Sequence, residues 1–252
     1  ERGENVFYYI TTLNENYNMP AMPEGVEEDI IKGMYKFKDG DTKSKNHVQL
    51  LGCGSILNEV IAAADLLKDD WNVNADIWST PSLVELSRDG ADVERWNMLH
   101  PDKKPRQSWV EQCLSGTKGP VIASTDYIRS YAEGIRAYVP GDYHVLGTDG
   151  FGRSDSRPAL RKHFEVDRYY VTVAALKALA DQQKSSKAKD KITAKHVLEA
   201  MKKYNIDYFI FYVLSFFVMN TLNTISYYED TKLYYRNKMS GALENKTIAN
   251  RV

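Results

Sequence analysis

One pattern constrains this chain more than any other: from residue 47 onward, short apolar runs alternate with small-residue turns and stretches of helical periodicity. The run HVQLL at residues 47–51 enters Gly52, Cys53, Gly54 and Ser55, after which Ile56, Val60, Ala63, Leu67 and Trp71 recur on one helical face. Further runs lie at residues 75–78, 120–124 and 143–146. A brief apolar run bounded by turn residues is how a strand buried on both faces reads. Intervening helices are the crossovers that parallel strands require. The chain is therefore expected to be α/β, with a mostly parallel sheet between helical layers.

The same reading places helices over residues 126–138, with Ile128, Tyr131 and Ile135 facing inward, and after Pro158, with Leu160 and Phe164 inward. Residues 168–181 and 193–204 read as two more, joined by a solvated basic linker at 184–191, and Ser55 is the expected N-cap of the first helix. Upstream, residues 6–13 are β-branched and aromatic and predict a buried strand. A loop over 14–25, a helix over 27–35 and a solvated turn over 39–46 follow. Beyond Asp207 the character changes to YFIFYVLSFFVMNTLNTISYY. Its apolar run, residues 208–219, falls short of the roughly 20 residues that span a bilayer. The segment 208–252 reads as foreign to the domain before it, and read-through or a frameshift is favoured over the alternatives, a membrane anchor and a genuine packing helix.

Composition narrows the function. With 33 basic against 34 acidic side chains, the field of the whole chain favours neither a nucleic acid nor an anionic membrane surface. Only two cysteines occur, Cys53 and Cys113, far apart and outside any metal-ligand spacing, which argues against disulfides or zinc and for a reducing, cytoplasmic compartment. The first residues carry neither a methionine nor the order of a signal peptide, so the chain is expected to begin inside a longer protein.

Three stretches are candidates for chemistry. LGTDGFGRSDSR, residues 146–157, has Gly147, Gly150 and Gly152 in neither the dinucleotide nor the triphosphate spacing. It reads as a turn at the end of a strand, with Ser154, Asp155 and Ser156 as cap candidates and an anion at the helix start as the alternative. Cys53 sits between glycines at a strand-to-helix turn, where some hydrolases hold a nucleophile. A nucleophile needs a positioned base, and none of His47, His100, His144, His163 and His196 stands in a recognisable motif with one, so Cys53 reads as a packing residue. ERWNMLHP, residues 94–101, suits an interface or a hydrogen-bond network. Its Glu94, Arg95 and His100 are the groups to test first if activity were found, although a lone histidine more often holds a structural bond.

FYYITTLNENYNMPAMPEG (residues 7–25), ERWNMLHP (94–101), ASTDY (123–127) and VLGTDGFGRSDSRPALRKHFEVD (145–167) together resemble the C-terminal part of the homodimeric, bacterial-type pyruvate dehydrogenases, which are thiamine diphosphate enzymes of the transketolase superfamily. The resemblance implies a three-layer transketolase-like C-terminal domain at residues 47–207, with about five strands, preceded at 1–46 by the end of a pyrimidine-binding domain and a linker. It implies an activity, the oxidative decarboxylation of pyruvate with acetyl transfer to lipoyl groups, that depends on thiamine diphosphate and magnesium. It also implies a homodimer and a dihydrolipoamide acetyltransferase partner. The family's cofactor motif is absent, since Asp39-Gly40-Asp41 lacks the leading glycine and no Asn-Asn pair occurs. No catalytic, cofactor or metal residue is therefore assigned, and the alternative is an interaction or anion-binding α/β module without catalysis.

Overall fold

The computed structural model describes residues 3, 7–10, 12, 16–18, 20–41 and 45–206 of the 252-residue chain. Two compact units divide it, Glu1–Val197 and Leu198–Val252; the described part of the second is the end of a helix and the turn that closes it. In chain order the elements are α1 (Glu27–Lys32), β1 (Tyr35–Lys38), β2 (His47–Gly52), α2 (Leu57–Trp71), β3 (Asn74–Ser79), α3 (Leu83–Leu99) and α4 (Trp109–Leu114). They continue with β4 (Val121–Ser124), α5 (Arg129–Glu133), β5 (Tyr143–Leu146), α6 (Arg157–His163), α7 (Arg168–Gln182) and α8 (Ala194–Lys203).

The five strands form one sheet in the order β1-β3-β2-β4-β5, parallel except for β1 at its edge. Every residue of β2 is buried, as a central strand covered on both faces demands. Register assigns the faces: Leu50 lies beside Ile77 and Ile122, while Leu51 lies beside Trp78 and Ala123. α2 covers β2 and β3 and packs against α7, which covers β4 and β5. The opposite face, carrying Leu51, Trp78, Val121, Ala123 and Tyr143, shares a core with Leu83 and Leu86 of α3, Val110 and Leu114 of α4 and Ala132 of α5. The result is the expected three-layer α/β sandwich.

Strand and helix positions from β2 to α8 follow the apolar runs, with corrections that have local causes. The helix expected to run to Tyr35 ends at Lys32, because Gly33 turns left-handed at φ 98°. A Cβ at Gly33 would stand 2.6 Å from the Ser82 carbonyl, so only glycine fits. The chain beyond it pairs antiparallel with β3 as β1. Residues 7–10 are exposed and not strand. Aromatic and β-branched residues make a strand only beside a partner strand, and no described strand runs beside them. Ser55 does not cap α2. The turn Gly54–Ile56 winds as a 3-10 helix and draws Ser55 out of the extended backbone that a capping side chain needs, so Ile56 takes the cap position. The helix expected over 126–138 breaks at Gly134 into α5 and a 3-10 turn, Arg136–Tyr138. That break buries Ala132 and Ile135 and leaves Ile128 and Tyr131 each 46% exposed. Leu160 on α6 and Phe164 just beyond its end are only half-buried.

The long helix α3 and short α4 were not expected. Ser82 caps α3 by accepting from the Glu85 amide, and Ser108 with Glu111 forms a reciprocal capping box on α4. Residues 208–252, where the foreign tail was expected, lie outside the described residues.

Candidate functional site

Chain order builds one crevice into the sheet. From β2 the chain crosses to β3 on one side, while β4 lies on the other side of β2 and leads away to β5. The carboxyl ends of β2 and β4 thus flank the point where the winding reverses, which is where open α/β sheets hold ligands. A cleft of about 250 Å³ lies there. Ser55 and Ile56 line it from the start of α2, Asp126 from the end of β4, and Arg153, Arg157 and Arg161 from α6 and the loop before it.

The wall of that cleft is fixed by a buried carboxylate. Glu59, on the inward stripe of α2, accepts from Arg161 Nη1 at 3.0 Å, from Arg168 Nε at 2.9 Å and Nη2 at 3.1 Å, and from the Arg168 amide at 3.0 Å. Burial pushes the Glu59 carboxyl up. The hydrogen bonds from Arg168 and then the charges of Arg168 and Arg161 outweigh it and hold the group below its ordinary value. Arg161 also donates to the Tyr17 hydroxyl at 3.1 Å and reaches Ser55 Oγ at 3.5 Å, and Arg157 and Arg161 stand near the Tyr17 ring.

A second buried polar network crosses the opposite end of the sheet. Asp76 on β3 accepts from the Gly40 amide at 2.8 Å, from Gln49 Nε2 at 2.9 Å and from His47 Nε2 at 3.0 Å. Gln49 Oε1 in turn accepts from the Trp78 indole at 2.8 Å. Burial raises the Asp76 carboxyl, but hydrogen bonds from His47, Gly40 and Gln49 overcome it and bring the pKa down to about 2. A carboxylate only accepts, so the Nε2 atom of His47 carries its hydrogen; buried Nδ1 has no hydrogen-bond partner among the described residues.

The residues singled out from sequence are not gathered into one site. Cys53 is buried at the end of β2, where burial first, and then Asp126, push its thiol up against hydrogen bonds involving Thr125 and Thr80. No histidine is among the groups that act on it: His47 faces Asp76, His100 Nδ1 faces the Trp96 carbonyl, His144 is exposed on β5, His163 lies edge-on to Phe164, and His196 meets Thr193. ERWNMLHP closes α3 as a local network. His100 stacks on Trp96, Arg106 covers the other indole contact at 3.9 Å, and Asn97 exchanges two hydrogen bonds with the Arg106 backbone. Glu94 accepts from Tyr138, and Arg95 is exposed. The glycine loop 147–152 carries the chain from β5 toward α6. Ser156 holds the cap position of α6 without a side-chain bond, and Asp155 accepts from the Ser156 amide. Sequence reading missed Glu59 with Arg161 and Arg168, and Asp76 with His47. The available signal was a carboxylate set beside the apolar stripe of α2.

Thiamine diphosphate with magnesium does not fit these residues. A metal bridging a diphosphate needs converging oxygen ligands. Among the described residues no three histidine, cysteine, aspartate or glutamate side chains gather to hold one. The two buried carboxylates among them, Glu59 and Asp76, are saturated by the donors just named. Asp39 of the sequence Asp39-Gly40-Asp41 pairs with Lys36 on the surface.

A three-layer sheet of this order, with its crevice at the β2–β4 reversal, defines a class of domain. The chain belongs to the transketolase-like TK C-terminal domain family, whose pattern matches residues 33–167. Among full-length relatives it is similar to the pyruvate dehydrogenase E1 components of Cupriavidus necator (58% identical over 205 residues, 81% of this chain) and Pseudomonas aeruginosa (58% over 208 residues, 82%). That of Escherichia coli strain K12 is 55% identical over 208 residues. The chain spans only 22–23% of the length of these relatives. Among solved structures it is similar to the transketolase from Leishmania mexicana, at 18% identity and a TM-score of 0.40 over 60% of this chain and 18% of that one.

Proposed function

We propose that this chain is the accessory C-terminal part of a pyruvate dehydrogenase E1 component. The whole protein then carries out thiamine diphosphate-dependent oxidative decarboxylation of pyruvate, passing the acetyl group to lipoyl groups of a dihydrolipoamide acetyltransferase. The observation that carries this reading is identity of 55–58% across four-fifths of the chain but under a quarter of each relative. In this reading residues 47–207 are the accessory domain, 1–46 end a pyrimidine-binding domain and lead into it, and 208–252 lie outside the family pattern. The domain contributes contacts to a cytoplasmic homodimer, and the groups that activate the cofactor belong to other parts of the protein. No described helix is long and apolar enough to cross a membrane.

The saturated carboxylates support the non-catalytic assignment. General acid–base work needs a group free to exchange its proton with substrate, and Glu59 and Asp76 are each tied to two or more donors. Pyruvate-dependent reduction of a dye by the purified chain, with thiamine diphosphate and magnesium present, tests the reading. The expected rate is that of the blank; turnover above it would place an active site within these residues.

A further inference from the structure

A second cleft, of about 250 Å³, opens where β5 ends, between that strand and the turn that closes α6. β5 is the last strand in the sheet order, so its outer side has no described strand beside it. On its inner side the Asp142 and Leu146 carbonyls accept from the Val121 and Thr125 amides. Backbone groups along a strand alternate between its two edges, which turns the Tyr143 and Val145 carbonyls outward. The Tyr143 carbonyl already accepts from a cation there, Arg136 Nη1 at 2.8 Å. That of Val145 borders the cleft, and among the described residues no hydrogen bond reaches it from the outer side.

The charge in the lining is unbalanced. Asp149 and Glu165 bring two carboxylates against one guanidinium, that of Arg129. Arg129 and Asp149 satisfy each other, through the Arg129 amide at 2.9 Å and Nε at 2.6 Å. Glu165 is left over: among the described residues its carboxylate has no hydrogen-bond partner, and His163 is the only charge that acts on it. Partial burial pushes that carboxyl up, and His163 offsets the push only in part. Glu165 also sits at φ 59°, its amide bonded to the Lys162 carbonyl and the next amide, of Val166, to that of Arg161. Glycine closes a helix in this way without a Cβ penalty, so the glutamate brings its carboxylate to the cleft at a conformational cost.

A primary ammonium carries one charge and three donors on a slim stem. It answers both open acceptors, the Glu165 carboxylate and the Val145 carbonyl, and the Phe164 ring in the lining suits its stem and its charge alike. A divalent cation needs more oxygen ligands, and among the described residues no three acidic, histidine or cysteine side chains gather to supply them. The volume is at or below the lower end of small-molecule pockets, roughly 300–1,000 Å³, which restricts the ligand to a compact group.

We propose that this cleft binds a primary ammonium group on a short apolar stem, as a small free amine or as the end of a lysine side chain, between the Glu165 carboxylate and the outward carbonyl of Val145.

The probes are n-butylammonium chloride and N-acetyl-lysine amide, titrated into the purified full chain by amide NMR near neutral pH, with tetramethylammonium chloride of matched ionic strength as the cation that lacks N–H donors. The expected result is saturable movement of the Val145, Leu146, Gly147 and Glu165 amide signals, with a Kd on the order of 10 mM or tighter. Saturation by butylammonium alone identifies a site for a small amine, saturation by N-acetyl-lysine amide one that admits a lysine side chain, and both support the proposal. Glu165→Gln should weaken binding at least about tenfold and keep its thermal midpoint, since the carboxylate has no described hydrogen bond to lose. Glu165→Gly should abolish binding and fold at least as stably, because glycine adopts the left-handed turn freely; it decides should the glutamine variant fail to fold. Asp92→Asn, at an exposed carboxylate on α3, should leave binding unchanged. Equal movement of the same signals by tetramethylammonium, shifts only outside the cleft, saturation by neither amine, or undiminished binding in the folded Glu165 variants would each overturn the proposal.

Discussion

Replacing Asp76 with asparagine changes one atom type at the centre of the His47–Gln49–Trp78 network. The carboxylate meets three donors, the Gly40 amide, Gln49 Nε2 and His47 Nε2. An asparagine side chain keeps one oxygen and adds an amine, so in either orientation its N–H groups meet another donor. The folded carboxyl sits at about 2 against an ordinary 3.8. A group whose folded pKa is depressed contributes stability above its unfolded value and loses it as pH falls through the folded one. At about 1.4 kcal/mol per pH unit, that interval makes the ionised group worth about 2 kcal/mol. An unpaired buried donor adds about 1–3 kcal/mol to the cost of the amide. Together they amount to about 3–5 kcal/mol, or roughly 10 °C of Tm in a chain of this size. Urea unfolding followed by tryptophan fluorescence reads it directly, since Trp78 donates into the network. The stability gap between wild type and Asp76→Asn should be full near about pH 6 and should narrow as pH falls from about 4 toward 2. A gap under about 1 kcal/mol near neutrality, or one that stays constant down to the lowest pH, would mean that the Asp76 carboxylate is not held by its three donors as described.

Three further substitutions or probes follow from the same geometry. Glu59→Gln removes the charge that Arg161 and Arg168 share and should cost about 3 kcal/mol of unfolding free energy measured in urea; a change within about 0.5 kcal/mol would mean the pair is not held as described. Gly119 adopts φ +81° with its missing Cβ only 1.7 Å from the His47 carbonyl oxygen, so Gly119→Ala should cost about 3 kcal/mol or more, and an unchanged Tm would contradict the close approach. Cys53 is buried and its thiol is raised, and burial and the Asp29 charge push Cys113 up to about 12. Both thiols should resist a disulfide reagent near neutral pH until urea unfolds the chain, and rapid labelling of either in the folded state would count against the packing.

What the sequence disclosed depended on whether a signal was local. β2, β3, β4 and β5 stand out because each is an apolar run that ends at glycine, serine or proline turns, and α2 because Ile56, Val60, Ala63 and Leu67 hold one face. β1 hid behind α1: Tyr35 to Lys38 alternates with lysine and continues a helical stretch until Gly33 is seen to turn it. α3 buries only Leu83, Leu86 and Gly90, too thin a stripe for periodicity to register. Residues 7–10 were read too strongly, because propensity alone cannot supply a neighbouring strand. The cleft was hidden for a different reason. Arg157 and Arg161 show their four-residue spacing once α6 is placed, but Ser55 and Glu59 lie about a hundred residues earlier, and only the sheet order brings them together.

On the proposed function, this chain holds the accessory domain, and the groups that bind the cofactor belong to other parts of the protein. Calorimetric titration of the purified chain with thiamine diphosphate and magnesium, after a cooperative thermal transition has shown it folded, measures this most directly. Only the heat of dilution is expected throughout. Saturable heat with a Kd on the order of micromolar would contradict it.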